Sequence, residues 1–239
     1  KLINIEVLVL LMKGVKKHFE NEASEFDNII LKLVPHYTQM IDALVSAIPF
    51  KNSDSINIID LGCGTGYVSM NIKERFPNSN LTCLDFAENM IAKAKIRMKK
   101  YNNVNFYLKD ITKFDFDKKY NAIVSSLALH HLETKKDKIK FYKKIFEALE
   151  PEGVFYNADM ILGSNEALQE LYISKWKEYM AKSTPGDEIE NTWMTKHHEE
   201  DWPEILIDQM LWLEDIGFKE IDIVWKYYNF AVYGGAKPK

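Results

Sequence analysis

Short apolar runs alternate with amphipathic segments over the middle of this chain. Runs at residues 58–60, 81–84, 104–108, 122–126 and 154–159 have the length and the apolar or alternating pattern of β-strands. Apolar residues spaced three or four positions apart follow three of these runs and predict helices. The alternation predicts an α/β fold with right-handed crossovers, a mostly parallel sheet and helices on both faces.

The pattern differs on either side of this alternation. Residues 35–48 have the spacing of an amphipathic helix before it, and residues 165–182 have that spacing after it. We expect an irregular stretch to follow, and then a helix that starts at Asp201 and Pro203 and stops at Gly217. Two strands joined by a tight turn are predicted to end the chain.

These patterns suggest one domain with helical additions. We assign residues 1–50 to an N-terminal extension and cap helices, and residues 51–239 to an α/β domain with a helical lid at about residues 160–202. The apolar run at residues 2–12 is too short to span a bilayer, so we expect no membrane segment. Residues 1–11 have two possible roles. They are either an extension upstream of a start at Met12 or a helix packed on the domain.

The first strand opens into a glycine-rich turn, IIDLGCGTG at residues 58–66. Gly62, Gly64 and Gly66 remove side chains where the backbone passes close to a ligand, and a strand before and a helix after are the context of a nucleotide-type site. The spacing is G-x-G-x-G, whereas dinucleotide folds use G-x-G-x-x-G beneath a pyrophosphate. A dinucleotide-dependent oxidoreductase is therefore the disfavoured enzyme hypothesis.

The second and third strands each end in an acid. Asp85 lies about 20 residues beyond the glycines, where nucleotide-binding α/β folds place a carboxylate on ribose hydroxyls. Asp110 follows the third strand. Capping of a turn or a helix is the alternative role for either acid.

The glycine turn with Asp60 before it, together with the terminal hairpin, resembles the class I S-adenosylmethionine (SAM)-dependent methyltransferases from about residue 35 to the C-terminus. The resemblance implies a Rossmann-like fold whose seven-stranded, mostly parallel sheet has an antiparallel C-terminal strand. It implies SAM as the methyl donor, with S-adenosylhomocysteine as the product, and Asp110 at the adenine amino group. The expected cofactor-binding residues are Tyr37, Asp60, Gly62, Cys63, Gly64, Gly66, Asp85, Phe86, Asp110, Ile111 and Ser126.

Two segments resemble one bacterial group more closely. These segments are residues 26–40, which contain VPHYTQM, and the C-terminal stretch from WLEDIGF to AVYGG. The group includes carboxy-S-adenosylmethionine synthase, an enzyme of tRNA wobble-uridine modification, and Tyr37 matches one of its cofactor contacts. The synthase holds its extra carboxylate with an arginine, which is missing here around Met194. We expect plain SAM and methyl transfer, with a synthase-like or tRNA-modifying function as the alternative.

His130 and His131 follow the fourth strand, beside the position expected for the methyl group. A histidine there can deprotonate an oxygen, nitrogen or sulfur nucleophile, because its ordinary pKa is near neutral. We expect one of the two, with His131 preferred, to be the catalytic base. The HHEED run at residues 197–201 is predicted to be a solvated loop without a metal ion, because contiguous residues do not easily converge on one ion. The lysines at residues 135–144 are predicted to form the solvent-exposed face of a helix.

Composition restricts the partners. The formal net charge is −4 and the only arginines are Arg75 and Arg97, which disfavours nucleic acid and favours a small-molecule acceptor. Aromatic residues in the predicted lid suggest an apolar or aromatic acceptor. Two cysteines, Cys63 and Cys83, are too few for a disulfide scaffold, so we expect a reducing, cytoplasmic location. A homodimer and a non-catalytic SAM-binding regulator stay open.

Overall fold

The computed structural model describes residues 25–239, so the predictions for residues 1–11 and Met12 lie outside the described residues. The strands are β1 (Asn57–Leu61), β2 (Asn80–Asp85), β3 (Val104–Leu108), β4 (Tyr120–Ser126), β5 (Leu149–Leu162), β6 (Glu204–Ile205), β7 (Lys219–Tyr227) and β8 (Phe230–Ala236). The helices are α1 (Phe26–Leu33), α2 (Tyr37–Ser46), α3 (Tyr67–Arg75), α4 (Glu88–Arg97), α5 (Lys135–Ala148), α6 (Glu166–Met180), α7 (Gly186–Glu188), α8 (Thr195–Glu200) and α9 (Leu206–Ile216).

The main sheet has the strand order β3-β2-β1-β4-β5-β8-β7, and the short strand β6 pairs with β5. Strands β1 to β5 are parallel to one another, whereas β8 is antiparallel to both of its neighbours, β5 and β7. The predicted mostly parallel sheet with an antiparallel C-terminal strand is therefore confirmed. The strand order reverses between β1 and β4, and their carboxyl ends form the crevice where open α/β sheets bind ligands.

The sheet is buried between two apolar layers. On one side, helix α2 packs against β5, β7 and β8. Its predicted inward residues Ile41, Leu44 and Val45 are at most 5% exposed. On the other side, helix α5 contributes Tyr142 and Ile145 to a second layer that also includes residues of α9. Burial on both faces explains why the central strands consist largely of apolar residues.

The terminal hairpin follows helix α9. Gly217 ends this helix with φ 119°, a left-handed conformation that favours glycine. Gly234 lets strand β8 approach strand β5, because a Cβ atom there would lie 1.9 Å from the carbonyl oxygen of Phe155. The predicted hairpin is confirmed, but its strands were expected at residues 218–224 and 227–232 and lie at Lys219–Tyr227 and Phe230–Ala236, so the turn comes about three residues later than predicted.

The structure corrects two predictions between α6 and α9. The stretch expected to be irregular is helical, with a π-helix at Ile189–Met194 between α7 and α8. Its apolar residues Ile189 and Met194 are buried in the core, and this tertiary packing was not visible in the local pattern. Asp201 and Pro203 do not start the next helix, because β6 intervenes and α9 begins at Leu206. In the part of the chain described, no helix combines the length and the apolar character needed to cross a bilayer.

Candidate functional site

The glycine turn connects β1 to α3 beside the tip of β2. The amides of Gly62 and Cys63 donate to the carbonyl oxygen of Leu84 at 2.8 and 2.9 Å, which ties the turn to β2. Gly64 has φ 52°, and a Cβ atom there would meet only a ring carbon of Phe26, at 4.0 Å. A side chain at this position would therefore project into open space above the turn, which is the space that a ligand needs.

This space is a cavity of about 1090 Å³, including the part open to solvent, and we call it the cofactor cavity. Ten predicted site residues line it: Tyr37, Gly62, Cys63, Gly64, Asp85, Phe86, Asp110, Ile111, Ser126 and His131. The other three, Asp60, Gly66 and His130, lie outside its wall. Residues that the sequence prediction missed also line it, among them Phe26, Thr65, Tyr67, Thr112, Leu127, Ala128, Glu133 and Trp202.

Asp85 links the two strand tips at the floor of the cofactor cavity. One carboxylate oxygen accepts from the amide of Gly64 at 2.8 Å, and the other accepts from the amide of Ala87 at 2.9 Å. The side chain is 5% exposed. Each carboxylate oxygen has a second lone pair, so these bonds leave acceptor capacity for hydroxyl groups.

Asp110 and Ser126 lie at the ends of β3 and β4. Asp110 caps the 3₁₀ turn Ile111–Lys113, because its Oδ1 accepts from the amide and the hydroxyl of Thr112 at 2.8 and 2.7 Å. The capping role is therefore present, and Asp110 also lines the cavity. The Oγ atom of Ser126 is buried without a hydrogen-bond partner among the described residues. A buried hydroxyl in this state indicates a place for a ligand.

Asp60 and Gly66 support the turn from beneath. Asp60 is fully buried, and its Oδ2 accepts from the hydroxyl of Ser69 at 2.6 Å. Burial raises the pKa of Asp60 to about 7, and the charge of Asp85 adds to the effect. Gly66 precedes helix α3 and packs 3.2 Å from Ala94, measured from an ideal Cβ position.

Helix α1, which the sequence prediction missed, is held against the glycine turn by an ion pair. Asp27 pairs with Arg97, and the carboxylate also accepts from the hydroxyl of Thr65 at 2.6 Å. Arg97 donates to the same hydroxyl at 2.7 Å. This network places Phe26 over the cofactor cavity. No local apolar pattern marked these polar contacts, which join residues far apart in the chain.

His130 is a buried cation between two carboxylates. Its Nδ1 lies 2.5 Å from Oδ1 of Asp159, and its Nε2 lies 3.3 Å from Oδ1 of Asp201. Burial opposes the charged ring, but the two carboxylates outweigh it and raise the pKa of His130 to about 10. His130 is therefore protonated at neutral pH and is not a free base.

His131 has the opposite character. Its Nδ1 lies 2.9 Å from the carbonyl oxygen of Glu200, so Nδ1 carries the proton and Nε2 is the basic nitrogen. Burial and the charge of His130 lower the pKa of His131 to about 4. The ring is neutral at physiological pH and lines the cofactor cavity.

Lys138 is buried, so the prediction that the lysines at residues 135–144 all face solvent is wrong at this position. It is 2% exposed, whereas Lys136 and Lys140 are exposed. Its Nζ donates to the carbonyl oxygens of Leu129 and His130 at 3.1 and 3.3 Å, and to that of Leu132. Burial lowers its pKa to about 8. The ammonium group thus holds the 3₁₀ turn that carries both histidines.

The HHEED run is also not a solvated loop. It lies in α8 and just after it, and His197 is 9% exposed with its Nδ1 2.9 Å from Oδ2 of Asp201. His130, His131 and Asp201 bring three ligand-type atoms within 4.8 Å of one another. Carboxylates and a carbonyl accept from these ring nitrogens, which fits protonated nitrogens, so we interpret the group as a hydrogen-bonded ion pair.

A second cavity of about 750 Å³, including its open part, adjoins the first, and we call it the acceptor chamber. The two share the wall residues Phe26, Leu127 and His131. Most of the remaining wall is apolar: Ile29, Ile30, Leu33, Val34, Met160, Trp176, Trp193 and Phe230. The polar wall residues are His130, Lys196, His197, Glu200 and Asp201.

The lining of the cofactor cavity favours a sulfonium cofactor over a dinucleotide. Among the described residues, no lysine or arginine lines it, whereas Asp85, Asp110 and Glu133 do. Lys113 pairs with Asp110, but Asp85 and Glu133 would still repel two phosphates and attract a sulfonium cation. Gly64 and the buried Ser126 hydroxyl provide space and a polar contact. The residues present therefore fit SAM.

The strand order and this cavity define the class I, Rossmann-like fold of SAM-dependent methyltransferases. The family profile described as "Methyltransferase domain" matches residues 52–210, and the chain belongs to this family. It is an enzyme family, and SAM is the cofactor.

Two curated relatives are informative. Carboxy-S-adenosyl-L-methionine synthase of Nautilia profundicola is 27% identical over 233 residues, which cover 92% of this chain and 95% of the relative. Malonyl-[acyl-carrier protein] O-methyltransferase of Bacillus anthracis is 32% identical over 163 residues, which cover 67% of this chain and 56% of the relative. The match thus spans just over half the length of the second relative.

Solved structures show the same fold. The N-methyltransferase NodS from Bradyrhizobium japonicum, in complex with S-adenosylhomocysteine, has a TM-score of 0.64 at 15% sequence identity. The match covers 94% of this chain and 98% of NodS. The similarity extends over almost all of both proteins, so the terminal hairpin and the helices around the sheet belong to a shared architecture.

Proposed function

We propose that this protein transfers the methyl group of SAM to an oxygen, nitrogen or sulfur atom of a small molecule. One observation carries the proposal: the cofactor cavity and the apolar acceptor chamber meet at His131. A methyl donor in the first and an acceptor in the second would face each other across this residue. Positioning of that kind supplies much of the rate of a displacement at carbon.

Different residues of the cofactor cavity would bind different parts of SAM. Asp85 would accept from the ribose hydroxyls, and Asp110 and Ile111 would receive the adenine ring. Ser126 and Tyr37 would contact the rest of the cofactor, and the acidic wall would favour its positive charge. Gly62, Cys63 and Gly64 form the floor, whose shape Asp60 and Gly66 maintain from below, and Phe86 closes the ribose side. Bound SAM supplies an electrophilic methyl group.

His131 accepts the proton of the nucleophile. Bound SAM would supply the methyl carbon that the nucleophile attacks, with S-adenosylhomocysteine as the leaving group, and the proton of an alcohol or thiol would pass to Nε2 of His131. A pKa of about 4 makes His131 a weak base, but alkylation of an alcohol or thiol makes its proton strongly acidic, so a weak base is sufficient. An amine would lose a proton to solvent before it reacts and would not need His131. His130 supports this role through its fixed position, and its charge keeps the ring of His131 neutral and thus able to accept a proton.

A function like that of the synthase is the second candidate, because the relative from Nautilia profundicola matches nearly the whole chain. The cofactor would then carry an additional carboxylate. Both arginines are engaged elsewhere: Arg75 donates to Ser46, and Arg97 pairs with Asp27. A carboxylate near Met194 would have no guanidinium partner, so we favour plain SAM. Calorimetric titration with SAM and with its carboxylated form separates the two candidates.

The experiment that tests methyl transfer combines binding and turnover. We expect SAM and S-adenosylhomocysteine to bind in calorimetry, and a labelled methyl group to pass from SAM to members of a panel of small alcohols, amines and thiols. His131→Ala is expected to keep S-adenosylhomocysteine binding and to lose about 100-fold in turnover. The matched control is His198→Ala, because His198 is exposed on α8. Cofactor binding without turnover on any acceptor would instead support a regulator.

A further inference from the structure

We propose that the acceptor chamber binds a molecule with an apolar body of aromatic size and an alcohol, thiol or amine as its reacting group, and that it rejects anions. This inference rests on the proposed function and names the acceptor class. The chamber's volume of about 750 Å³ lies in the range of small-molecule sites. Its walls, its charges and its opening each support one part of the inference.

The walls suit a flat apolar body. The ring of Trp176 is fixed because its Nε1 donates to the carbonyl oxygen of Leu33 at 2.6 Å. It meets Phe230 edge to face, with the ring centroids 5.8 Å apart. Trp193 and Met160 add an aromatic and a flexible apolar surface. Fixed aromatic rings bind another aromatic body with little loss of conformational entropy.

The charges at the polar end disfavour an anion. Asp159 and Asp201 both contact the imidazolium of His130, so this cation is already paired with two carboxylates. Glu200 and Lys196, also in the wall, add one charge of each sign. The Nζ of Lys196 lies 4.7 Å from the ring centroid of Trp193. A carboxylate acceptor would lose its hydration and would compete with Asp159 and Asp201 for the charge of His130, whereas an alcohol or an amine would lose less hydration.

No arginine is placed to bind a carboxylate in the acceptor chamber. A carboxylate acceptor is usually recognised by the planar fork of an arginine, and neither of the two arginines of this chain lines the chamber. The inference therefore separates this protein from an enzyme that methylates a free carboxylate, the chemistry that the name of the relative from Bacillus anthracis indicates.

The opening orients the acceptor. Phe26, Leu127 and His131 border both cavities, so the reacting group lies at this end while the apolar body lies between Trp176 and Trp193. The polar group next to His131 is then also next to the charged cluster of His130. The reacting group of the acceptor is therefore the group that is placed next to His131 and also the group whose charge decides binding.

Three probes with one body and different charges test the inference: 2-naphthol, 2-(aminomethyl)naphthalene and 2-naphthoate. They are titrated into the protein saturated with S-adenosylhomocysteine at pH 7, with tryptophan fluorescence and calorimetry as readouts. We expect the neutral and cationic probes to bind at least about tenfold more tightly than the anion. Equal or tighter binding of 2-naphthoate would overturn the charge selection.

Two variants locate the binding site. Ile30→Trp fills the chamber from α1, and Leu31→Trp is its control because Leu31 is 48% exposed and lies outside the chamber wall. We expect Ile30→Trp to weaken 2-naphthol binding at least about tenfold and Leu31→Trp to leave it unchanged. Trp193→Ala, which removes a wall, is a second variant in case Ile30→Trp does not fold, and it should weaken binding as well. Unchanged 2-naphthol binding in both folded chamber variants would place the probe elsewhere and overturn the inference.

Binding of S-adenosylhomocysteine separates the two proposals. If the wild-type protein does not bind it, the proposed function fails. If it binds but 2-naphthol does not, only the inference about the acceptor fails.

Discussion

The Nε2 atom of His130 lies 3.3 Å from Oδ1 of Asp201, and this contact joins the end of β4 to the segment after α8. Two further hydrogen bonds reinforce it: the amide of Trp202 donates to the carbonyl oxygen of His130 at 3.0 Å, and His131 donates to that of Glu200 at 2.9 Å. The helices after β5 are therefore attached to the loop that carries the proposed base. Closure of the acceptor chamber and placement of His131 depend on the same ion pair.

The stability contributed by His130 should disappear at high pH. Its pKa is raised from 6.5 to about 10, so its contribution is fully present below pH 6.5 and is lost as the pH rises through about 10. We expect His130→Gln to lower the free energy of unfolding by about 3 to 5 kcal/mol at pH 6, because two buried carboxylates lose their cation. The difference from wild type should shrink towards pH 10.5.

Urea unfolding at pH 6, 8 and 10.5 measures this difference. His198→Gln is the control, because His198 is exposed and should change stability little at any pH. A difference between wild type and His130→Gln that stays constant over the whole range would show that the imidazolium charge contributes nothing.

Ionisation of Asp60 should destabilise the folded protein, whereas ionisation of a carboxylate in an ion pair stabilises it. Its pKa is raised from 3.8 in the unfolded chain to about 7 in the folded protein. The contribution of Asp60 to the free energy of unfolding is therefore most favourable below pH 3.8 and is lost as the pH rises through about 7. We expect Asp60→Asn to stabilise the protein by about 1 to 3 kcal/mol at pH 8, because Oδ1 is buried without a partner.

At pH 4.5 the gain from Asp60→Asn should be small, since the wild-type carboxyl group is then protonated in the folded state. Thermal or urea unfolding at the two pH values checks the sign. Greater stabilisation at pH 4.5 than at pH 8 would contradict the raised pKa.

Asp85→Asn should weaken SAM binding at least about tenfold. The substitution removes the charge that accepts from two backbone amides and, in the proposed function, from the ribose. A charged hydrogen bond is worth about 1.5 to 3 kcal/mol. Calorimetry with SAM measures the loss, and Asp115→Asn is the control, because the side chain of Asp115 is 91% exposed. SAM affinity equal to that of wild type would exclude Asp85 as a ribose ligand.

Lys138→Met should destabilise the protein by about 2 to 4 kcal/mol and lower turnover, because three carbonyl oxygens of the histidine turn lose their donor. Lys140→Met is the matched control on the exposed face of α5, with an expected effect within about 0.5 kcal/mol. Urea unfolding and SAM turnover on the same samples check both effects. If the two variants are equally stable, the buried ammonium has no role in holding the turn.

The contiguous motifs of the site could be predicted because neighbouring residues carry them. Gly62, Gly64 and Asp85 were assigned to the cavity from strand patterns and spacing, and all three line it. The burial of Lys138 was missed because its charge suggested exposure, although Lys138 lies four residues before Tyr142 and seven before Ile145, on the buried face of the helix. Helix α1 was also missed, although Phe26, Ile29, Ile30 and Leu33 have the apolar spacing of a helix. Its attachment through the ion pair between Asp27 and Arg97 is the part that leaves no local signal.

The sequence by itself determined the parallel sheet, the glycine turn and the acids at the strand tips, because local spacing and chain direction are sufficient for these features. Only the tertiary structure decided the roles of the two adjacent histidines. Asp159 and Asp201 come from distant segments to hold a proton on His130, whereas burial and that same charge keep His131 neutral. A side chain's charge depends on the neighbours that folding brings to it, and these neighbours are not adjacent in the chain.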